Sequence, residues 1–304
     1  MLYLLLAILC SSSIALIFKY SETTGLNRYA VTSANYLTAC TVSLILILAS
    51  GITVPSDLNA ISALGRIGDA VVGKAVSLSP PDSFLWAIVA GAGAGLFFFL
   101  AFIYYQVSVR DHGVGLAGSF AKLGILVPMS LSLVFWREYP TSWQWAGIGL
   151  AVLSIVLVNW PDDKSVRRSL HVALLLLFVF AGIAEFSNKV YQRHGLQDYK
   201  SVFLLVTFFV AFVFSVATAL GKNRRVTARD MLIGAAVGVP NLFSSFFLIR
   251  ALDSVPAAVA FPAFGAGTIV IINVVGLVFF RERLSRYEKY AVGLTVIALI
   301  LINL

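Results

Sequence analysis

The sequence contains an internal repeat that constrains the whole fold. The segment Leu133–Glu138 (LVFWRE) returns as Leu277–Glu282 (LVFFRE), 144 residues later. The same spacing pairs Gly149 with Gly293. A long internal repeat indicates that one structural unit occurs twice in the chain.

An earlier part of the repeat has a wider spacing. Lys19 and Tyr29 recur as Lys189 and Tyr199, 170 residues later. The 26 extra residues predict an insertion within the first half. We therefore expect the following division of the chain: a first repeat over 1–160 with an insertion at about 51–82, and a second repeat over 161–304.

The insertion has a helical pattern of its own. Its apolar residues recur every three or four positions: Leu58, Ile61, Leu64, Ile67 and Val71. This spacing is typical of a short amphipathic helix lying on a membrane surface. A tolerated loop insertion is the simpler alternative, which the sequence favours.

The composition excludes an ordinary soluble domain, because 60% of the residues are hydrophobic and only 12% are charged. No charged residue or histidine occurs in the stretches 2–18, 30–56 and 83–109. About 20 apolar residues are enough to cross the hydrocarbon core of a bilayer. We predict an all-α integral membrane protein that crosses the cell membrane several times, and we interpret the N-terminal stretch as an uncleaved first span.

Ten transmembrane helices are predicted, five in each repeat. Their approximate bounds are 2–19, 29–50, 83–107, 113–136, 142–160, 170–192, 201–220, 230–250, 256–280 and 286–304. Because five is an odd number, the second repeat must enter the membrane in the opposite orientation. Inverted repeats are typical of secondary transporters, whose substrate site lies near the midplane between the repeats.

The basic residues of the loops predict an orientation. Lys and Arg are concentrated in the connectors 161–169, 221–229 and 281–289, which lie on the side opposite the N-terminus. Positively charged loops usually face the cytosol, so this distribution favours both termini outside it.

Ionisable residues within predicted spans are the first candidates for a site, because burying a charge in a membrane is costly. Lys122 lies near the middle of the fourth span and is expected to coordinate a carboxylate or phosphate, or to pair with Glu185. A lysine that snorkels toward an interface is the alternative, which this depth disfavours. Glu185 has two open interpretations: a ligand or proton carrier, or half of a structural pair with Lys189 one turn later. Lys189 is a further substrate-binding candidate, although snorkelling or helix capping explains it more simply.

Uncharged polar and aromatic residues complete the predicted binding set. Asn188 and Asn241 lie within spans, where hydrogen bonds between helices are the simpler explanation. Tyr105, Phe99 and Phe243 belong to aromatic clusters in the third and eighth helices, which would suit a pocket for an amphipathic metabolite. Packing remains the commoner role of a single Phe.

No catalytic pattern is found. The three histidines are far apart, and no metal-ligand, nucleophile or phosphate-loop motif occurs. The two cysteines lie inside predicted spans. We therefore expect no enzymatic activity, cofactor or metal, and we attribute the net charge of +8 to membrane topology rather than to nucleic-acid binding.

The repeated unit resembles the drug/metabolite transporter superfamily, in its ten-helix EamA-like branch. The resemblance rests on Arg137-Glu138 and Arg281-Glu282, which close the fourth helix of each half. It covers nearly the whole chain apart from the insertion, and it implies transport through a central cavity without naming a cargo. Members of that family commonly have cytosolic termini, so the family and the loop charges predict opposite orientations.

The sequence thus favours a carrier that moves a small organic metabolite by alternating access, with protons as a possible coupling ion. An amino acid, another zwitterion or an anion would match Lys122 and Glu185. A non-catalytic membrane scaffold and an integral-membrane enzyme without a recognisable motif are the alternatives. Both repeats are present in one chain, so a monomer is sufficient, and a homodimer stays open.

Overall fold

The structure is a computed structural model that describes residues 1–22, 26–71, 77–112, 120–121, 123–158, 172–221, 226–279 and 286–302. This part of the chain is all-helical and contains no strand. Its α-helices are α1 Leu2–Glu22, α2 Arg28–Ala49, α3 Ala60–Val71, α4 Pro80–His112, α5 Leu126–Trp136, α6 Ser142–Val158, α7 Val172–His194, α8 Lys200–Leu220, α9 Ala228–Ala251, α10 Ala257–Phe279 and α11 Arg286–Ile302. A 3₁₀ helix, Gln197–Tyr199, joins α7 to α8.

Within these described residues, five stretches are long enough and apolar enough to cross a membrane: Tyr29–Ala49, Pro80–Tyr105, Val172–His194, Gln197–Leu220 and Ala228–Ala251. Shorter apolar stretches lie in α1, α5, α10 and α11. A helix suits hydrocarbon because it satisfies its own backbone hydrogen bonds. The prediction of an all-helical protein is confirmed for the described residues, and several of its helices have the length and apolar composition of membrane spans. Part of the predicted fourth span, residues 113–119 and 122, lies outside the described residues.

The helices form two compact units. Unit 1 contains Met1–Ala15, Leu100–Phe186 and Ser254–Leu304, and unit 2 contains Leu16–Phe99 and Ser187–Asp253. Each unit therefore draws on both halves of the sequence. The predicted repeats are defined by sequence similarity, whereas the units are defined by spatial packing. The two divisions of the chain therefore need not coincide.

In unit 2, two glycines bring α4 close to α8. A Cβ atom built on Gly91 would lie 2.7 Å from the carbonyl oxygen of Phe203. One turn later, a Cβ on Gly95 would lie 2.7 Å from the Cβ of Val210 and closer still to the carbonyl oxygen of Thr207. The two backbones touch here because neither glycine has a side chain.

The same arrangement recurs where α9 crosses α2. A Cβ on Gly234 would collide with the carbonyl oxygen of Val31, and one on Gly238 would lie 2.5 Å from that of Asn35. In both crossings, two glycines four residues apart face two carbonyl groups four residues apart. Small residues at this spacing are a common means of close helix association in membranes.

The helices α4 and α9 also begin alike, with a hydroxyl residue three positions before an aspartate. At α9, the Thr227 backbone N–H and hydroxyl each donate to Asp230 at 2.8 Å, and the Asp230 N–H donates back to the hydroxyl at 3.2 Å. At α4, the Ser79 N–H and hydroxyl donate to Asp82 at 3.3 and 2.6 Å. These contacts satisfy backbone N–H groups that a helix start otherwise leaves without partners.

Each of these aspartates also binds a second element of unit 2. Arg66 of α3 donates to both carboxylate oxygens of Asp82, at 2.7 and 2.5 Å. These hydrogen bonds raise the pKa of the Arg66 guanidinium. The Asn27 backbone N–H donates to Asp230 at 2.9 Å, and the Asn27 side chain caps α2. The starts of α4 and α9 are thus tied to α3 and α2.

The insertion contains the helix that its spacing predicts, because α3 spans Ala60–Val71. The residues of its apolar stripe are divided between two faces. Ile67 is buried, together with Ala63 and Ala70, whereas Ile61 and Leu64 are exposed. Its buried face packs against the rest of unit 2, and the larger aliphatic side chains lie on another face.

Unit 1 includes the helix pairs α6–α11 and α5–α10. A Cβ on Gly147 of α6 would lie 2.8 Å from the Ile302 side chain and 2.9 Å from the carbonyl oxygen of Ala298 in α11. The Thr295 hydroxyl donates to that of Ser154 at 2.8 Å, with both residues buried. A glycine contact and a hydroxyl pair therefore hold α6 against α11.

We expect Gly95→Ala to destabilise the protein by about 1–3 kcal/mol, because the new methyl group overpacks the α4–α8 crossing. Gly93→Ala is the matched control, since nothing lies within 4 Å of a Cβ built on Gly93. Thermal unfolding of the detergent-solubilised proteins measures the difference. Equal stability of the two variants would contradict the close crossing.

Candidate functional site

Seven of the eight predicted binding residues lie in the described part of the chain. Lys122, the expected anchor for an acidic group, lies outside it. Glu185 and Tyr105 belong to unit 1. The remaining five belong to unit 2: Phe99, Asn188, Lys189, Asn241 and Phe243.

In unit 2, α7 carries two buried polar residues. Asn188 is fully buried and Lys189 is 3% exposed. Each of the two makes a hydrogen bond, an ion pair, a ring contact or another electrostatic interaction. A snorkelling lysine keeps its ammonium group in water, so the burial of Lys189 contradicts the interpretation that it snorkels. An amide and a cation thus lie inside unit 2, within a membrane-spanning stretch.

Asn241 links two membrane helices of unit 2. Its side-chain Nδ2 in α9 donates to Oδ1 of Asn35 in α2 at 3.1 Å. The pair lies beside the crossing where Gly238 approaches the Asn35 carbonyl group. The sequence allowed two interpretations of Asn241, a substrate-binding residue or a hydrogen bond between helices. The observed contact is of the second kind.

The aromatic candidates of unit 2 are engaged with other rings. Phe243 stacks on Phe247 with the ring centres 5.7 Å apart. Phe99 is 9% exposed and stacks on Phe214 at 5.2 Å. Phe99 therefore contributes to the packing of unit 2, while Phe243 belongs to an aromatic group on one face of α9.

That aromatic group also holds a cation. Phe246, edge-on to Phe243 at 6.0 Å, has the Lys200 ammonium group 4.6 Å from its ring centre. A cation over an aromatic face is stabilised by the negative potential of the ring. Lys200 also donates to the Gln197 carbonyl oxygen at 3.2 Å, which fixes it at the start of α8.

In unit 1, both candidate residues are partly buried. Glu185 and Tyr105 each make a polar, electrostatic or ring contact. Phe186, next to Glu185, lies 5.2 Å from Trp136, measured between ring centres, and this contact joins α7 to the end of α5. Glu185 is therefore carried on a helix that aromatic packing holds in place.

The Arg-Glu pair after α5 has a clear structural role. Arg137 takes a left-handed backbone conformation, with φ of 52°, and ends α5. Glu138 then accepts a hydrogen bond from the backbone N–H of Ala257 at 2.6 Å, where α10 begins. A carboxylate at a helix start satisfies a free N–H group and matches the helix dipole. The second pair, Arg281-Glu282, lies outside the described residues.

Sequence reasoning missed the polar cluster where α7 and α9 end. Asp253 accepts hydrogen bonds from the side-chain amides of Gln192 at 3.0 Å and Gln197 at 2.9 Å. These residues lie far apart in sequence and form no motif. The capping residues Asp82 and Asp230 were also missed, although a Ser or Thr three residues before an acidic residue and an apolar run is a recognised signal.

No protein-family model matches the chain, and no curated protein matches it. Similarity is found to a solved structure described only as "Crystal structure of protein", with a TM-score of 0.69 and 16% sequence identity. The match covers 99% of this chain and 94% of the other. At this identity the similarity concerns the fold alone.

A double-mutant cycle tests the amide pair. We expect Asn35→Ala and Asn241→Ala each to lower stability, and the double variant to lose less than the sum of the two. The expected coupling is about 0.6 kcal/mol and at most about 1.7 kcal/mol, the range of hydrogen bonds between membrane helices. Unfolding in mixed micelles measures it. Strictly additive losses would show that the two amides do not interact.

Proposed function

We propose that the protein is a secondary transporter related to the EamA-like branch of the drug/metabolite transporter superfamily. It moves a small organic metabolite across the cell membrane by alternating access. The proposal combines the sequence repeat, the membrane-spanning helices and the polar groups buried among them.

The reciprocal glycine crossings carry this proposal. The third predicted span of the first repeat, in α4, packs on the second span of the second repeat, in α8. The third span of the second repeat, in α9, packs on the second span of the first, in α2. Each glycine pair faces a carbonyl pair in the same pattern. Two symmetric contacts of this kind are what a duplicated unit produces when its copies associate about a twofold axis.

Five spans in each copy give the copies opposite orientations in the membrane. Inverted repeats are common in secondary transporters because exchanging the conformations of the two copies opens the pathway to the other side. This reasoning supports ten transmembrane helices, formed by the repeats 1–160 and 161–304. It supports transport more strongly than it supports any cargo.

Polar groups within the membrane helices support a site for a polar solute. Lys122 would bind an acidic group of the substrate, and Glu185 would bind an amine or carry a coupling proton. The buried Asn188 and Lys189 extend the polar set along α7. An amino acid or another zwitterion would satisfy both charges. Asn241 would act through its contact with Asn35, by fixing helix positions.

A ligand screen by thermal stability tests this function in the purified protein. The panel contains amino acids, organic anions, phosphorylated metabolites and organic cations. A ligand at about 100 times its dissociation constant adds about 2.7 kcal/mol to native-state stability. We expect a zwitterion to stabilise the protein, and Lys122→Ala and Glu185→Gln to remove that effect.

The controls distinguish an error in the proposed binding residues from an error in the proposed transport function. Gly93→Ala should keep the full ligand response, because its new methyl group meets no neighbouring atom. A stabilising ligand whose effect survives both charge substitutions would contradict the proposed site. A protein that responds to no panel member and carries no solute across vesicles would contradict transport and favour a membrane scaffold.

A further inference from the structure

The helix α3 has three distinct faces. Ala63, Ile67 and Ala70 are buried against unit 2. The large aliphatic residues of another face are exposed: Ile61 by 86%, Leu64 by 51% and Val71 by 52%. At about 100° per residue, the polar residues Ser62, Arg66 and Asp69 fall together on the remaining arc.

α3 is a regular helix that is fixed to the rest of unit 2, rather than an irregular loop. Asn59 caps its first turn, because its side-chain oxygen accepts a hydrogen bond from the Ser62 N–H at 3.3 Å. Arg66 fixes the middle of the helix through its two hydrogen bonds to Asp82. The Asp82 side chain is only 1% exposed, so this attachment point lies inside unit 2.

Asp82 also sets the depth of α3. It lies in the first turn of α4, whose apolar, membrane-crossing stretch begins at Pro80. An element bound to this turn lies where the hydrocarbon core meets the headgroups. Apolar side chains at that depth face lipid, and the polar side of the same helix faces water.

We propose that α3 is an interfacial anchor whose exposed Ile61, Leu64 and Val71 insert into the headgroup–acyl boundary beside the start of α4. The occupant of this face is bilayer lipid. The anchor requires only that α4 crosses a bilayer, so it holds whether or not the protein transports a solute.

The charges of α3 predict which lipids it needs. Arg66, its only basic residue, is bound to Asp82, and Asp69 is acidic. The helix therefore has no free basic residue with which to select anionic headgroups. Insertion should occur equally in neutral and in anionic membranes.

Site-specific fluorescence quenching tests the anchor in the full-length protein. Cys10→Ala and Cys40→Ala first remove the two native thiols. Ile61→Cys or Leu64→Cys then places an environment-sensitive dye on the apolar face, and Ser62→Cys is the matched control on the polar face. All three positions are exposed, so the substitutions should not disturb folding.

The labelled proteins are placed in phosphatidylcholine nanodiscs. A lipid carrying a nitroxide near the headgroup should quench the dye at position 61 or 64 at least about twofold more than the dye at 62. Aqueous iodide should give the reverse order. The same ratios are expected when phosphatidylglycerol is added.

Three results would overturn the anchor. Equal iodide quenching at 61 and 62 would place the apolar face in water. Protection of position 61 from both quenchers would show that protein covers it, including a second copy of this chain. Lipid quenching that requires phosphatidylglycerol would show electrostatic attraction instead of apolar insertion.

Discussion

Direct contact between helix backbones is the interaction on which unit 2 depends. Hydrocarbon gives two apolar helices no hydrophobic reason to associate, so close packing and hydrogen bonds must hold them. The glycine pairs of α4 and α9 provide the packing. Asn35 combines both effects, because its carbonyl group touches Gly238 while its side chain binds Asn241. A methyl group added at one of these glycines, or the loss of one of the two amides, therefore disturbs a helix crossing directly.

The few charged residues of the described chain act mainly at helix ends. Asp82, Asp230 and Glu138 each accept hydrogen bonds from backbone N–H groups at a helix start, and each joins that start to another segment. Asp82 and Asp230 are buried, so hydrogen bonds from these N–H groups, rather than water, stabilise their charges. The Arg-Glu pair that carries the family resemblance is thus explained in its first copy as a helix end followed by a helix cap.

Much of the fold could be predicted from the sequence, because apolar stretches of membrane-spanning length form helices whatever their neighbours are. The insertion helix was indicated by a different signal, apolar residues at every third or fourth position, although a loop insertion was the favoured interpretation. The sequence did not predict which face of α3 is buried. The small Ala63 and Ala70 pack against the rest of unit 2, whereas the larger Leu64 is exposed. The burial of Lys189 could not be predicted, since sequence position does not show which side of a helix is buried. The Asn35–Asn241 contact joins residues 206 positions apart, and no local sequence pattern predicts it.

We propose that the protein carries a solute across a membrane. This proposal accounts together for the paired glycine crossings, the buried polar groups and the sequence repeat. Counterflow in proteoliposomes tests it most directly. Vesicles preloaded with an unlabelled ligand that stabilises the protein are diluted into a trace of the same labelled compound. Alternating access predicts a transient accumulation of label above its equilibrium level, which protein-free vesicles lack. Label that only equilibrates, at the same rate with and without protein, would contradict the claim.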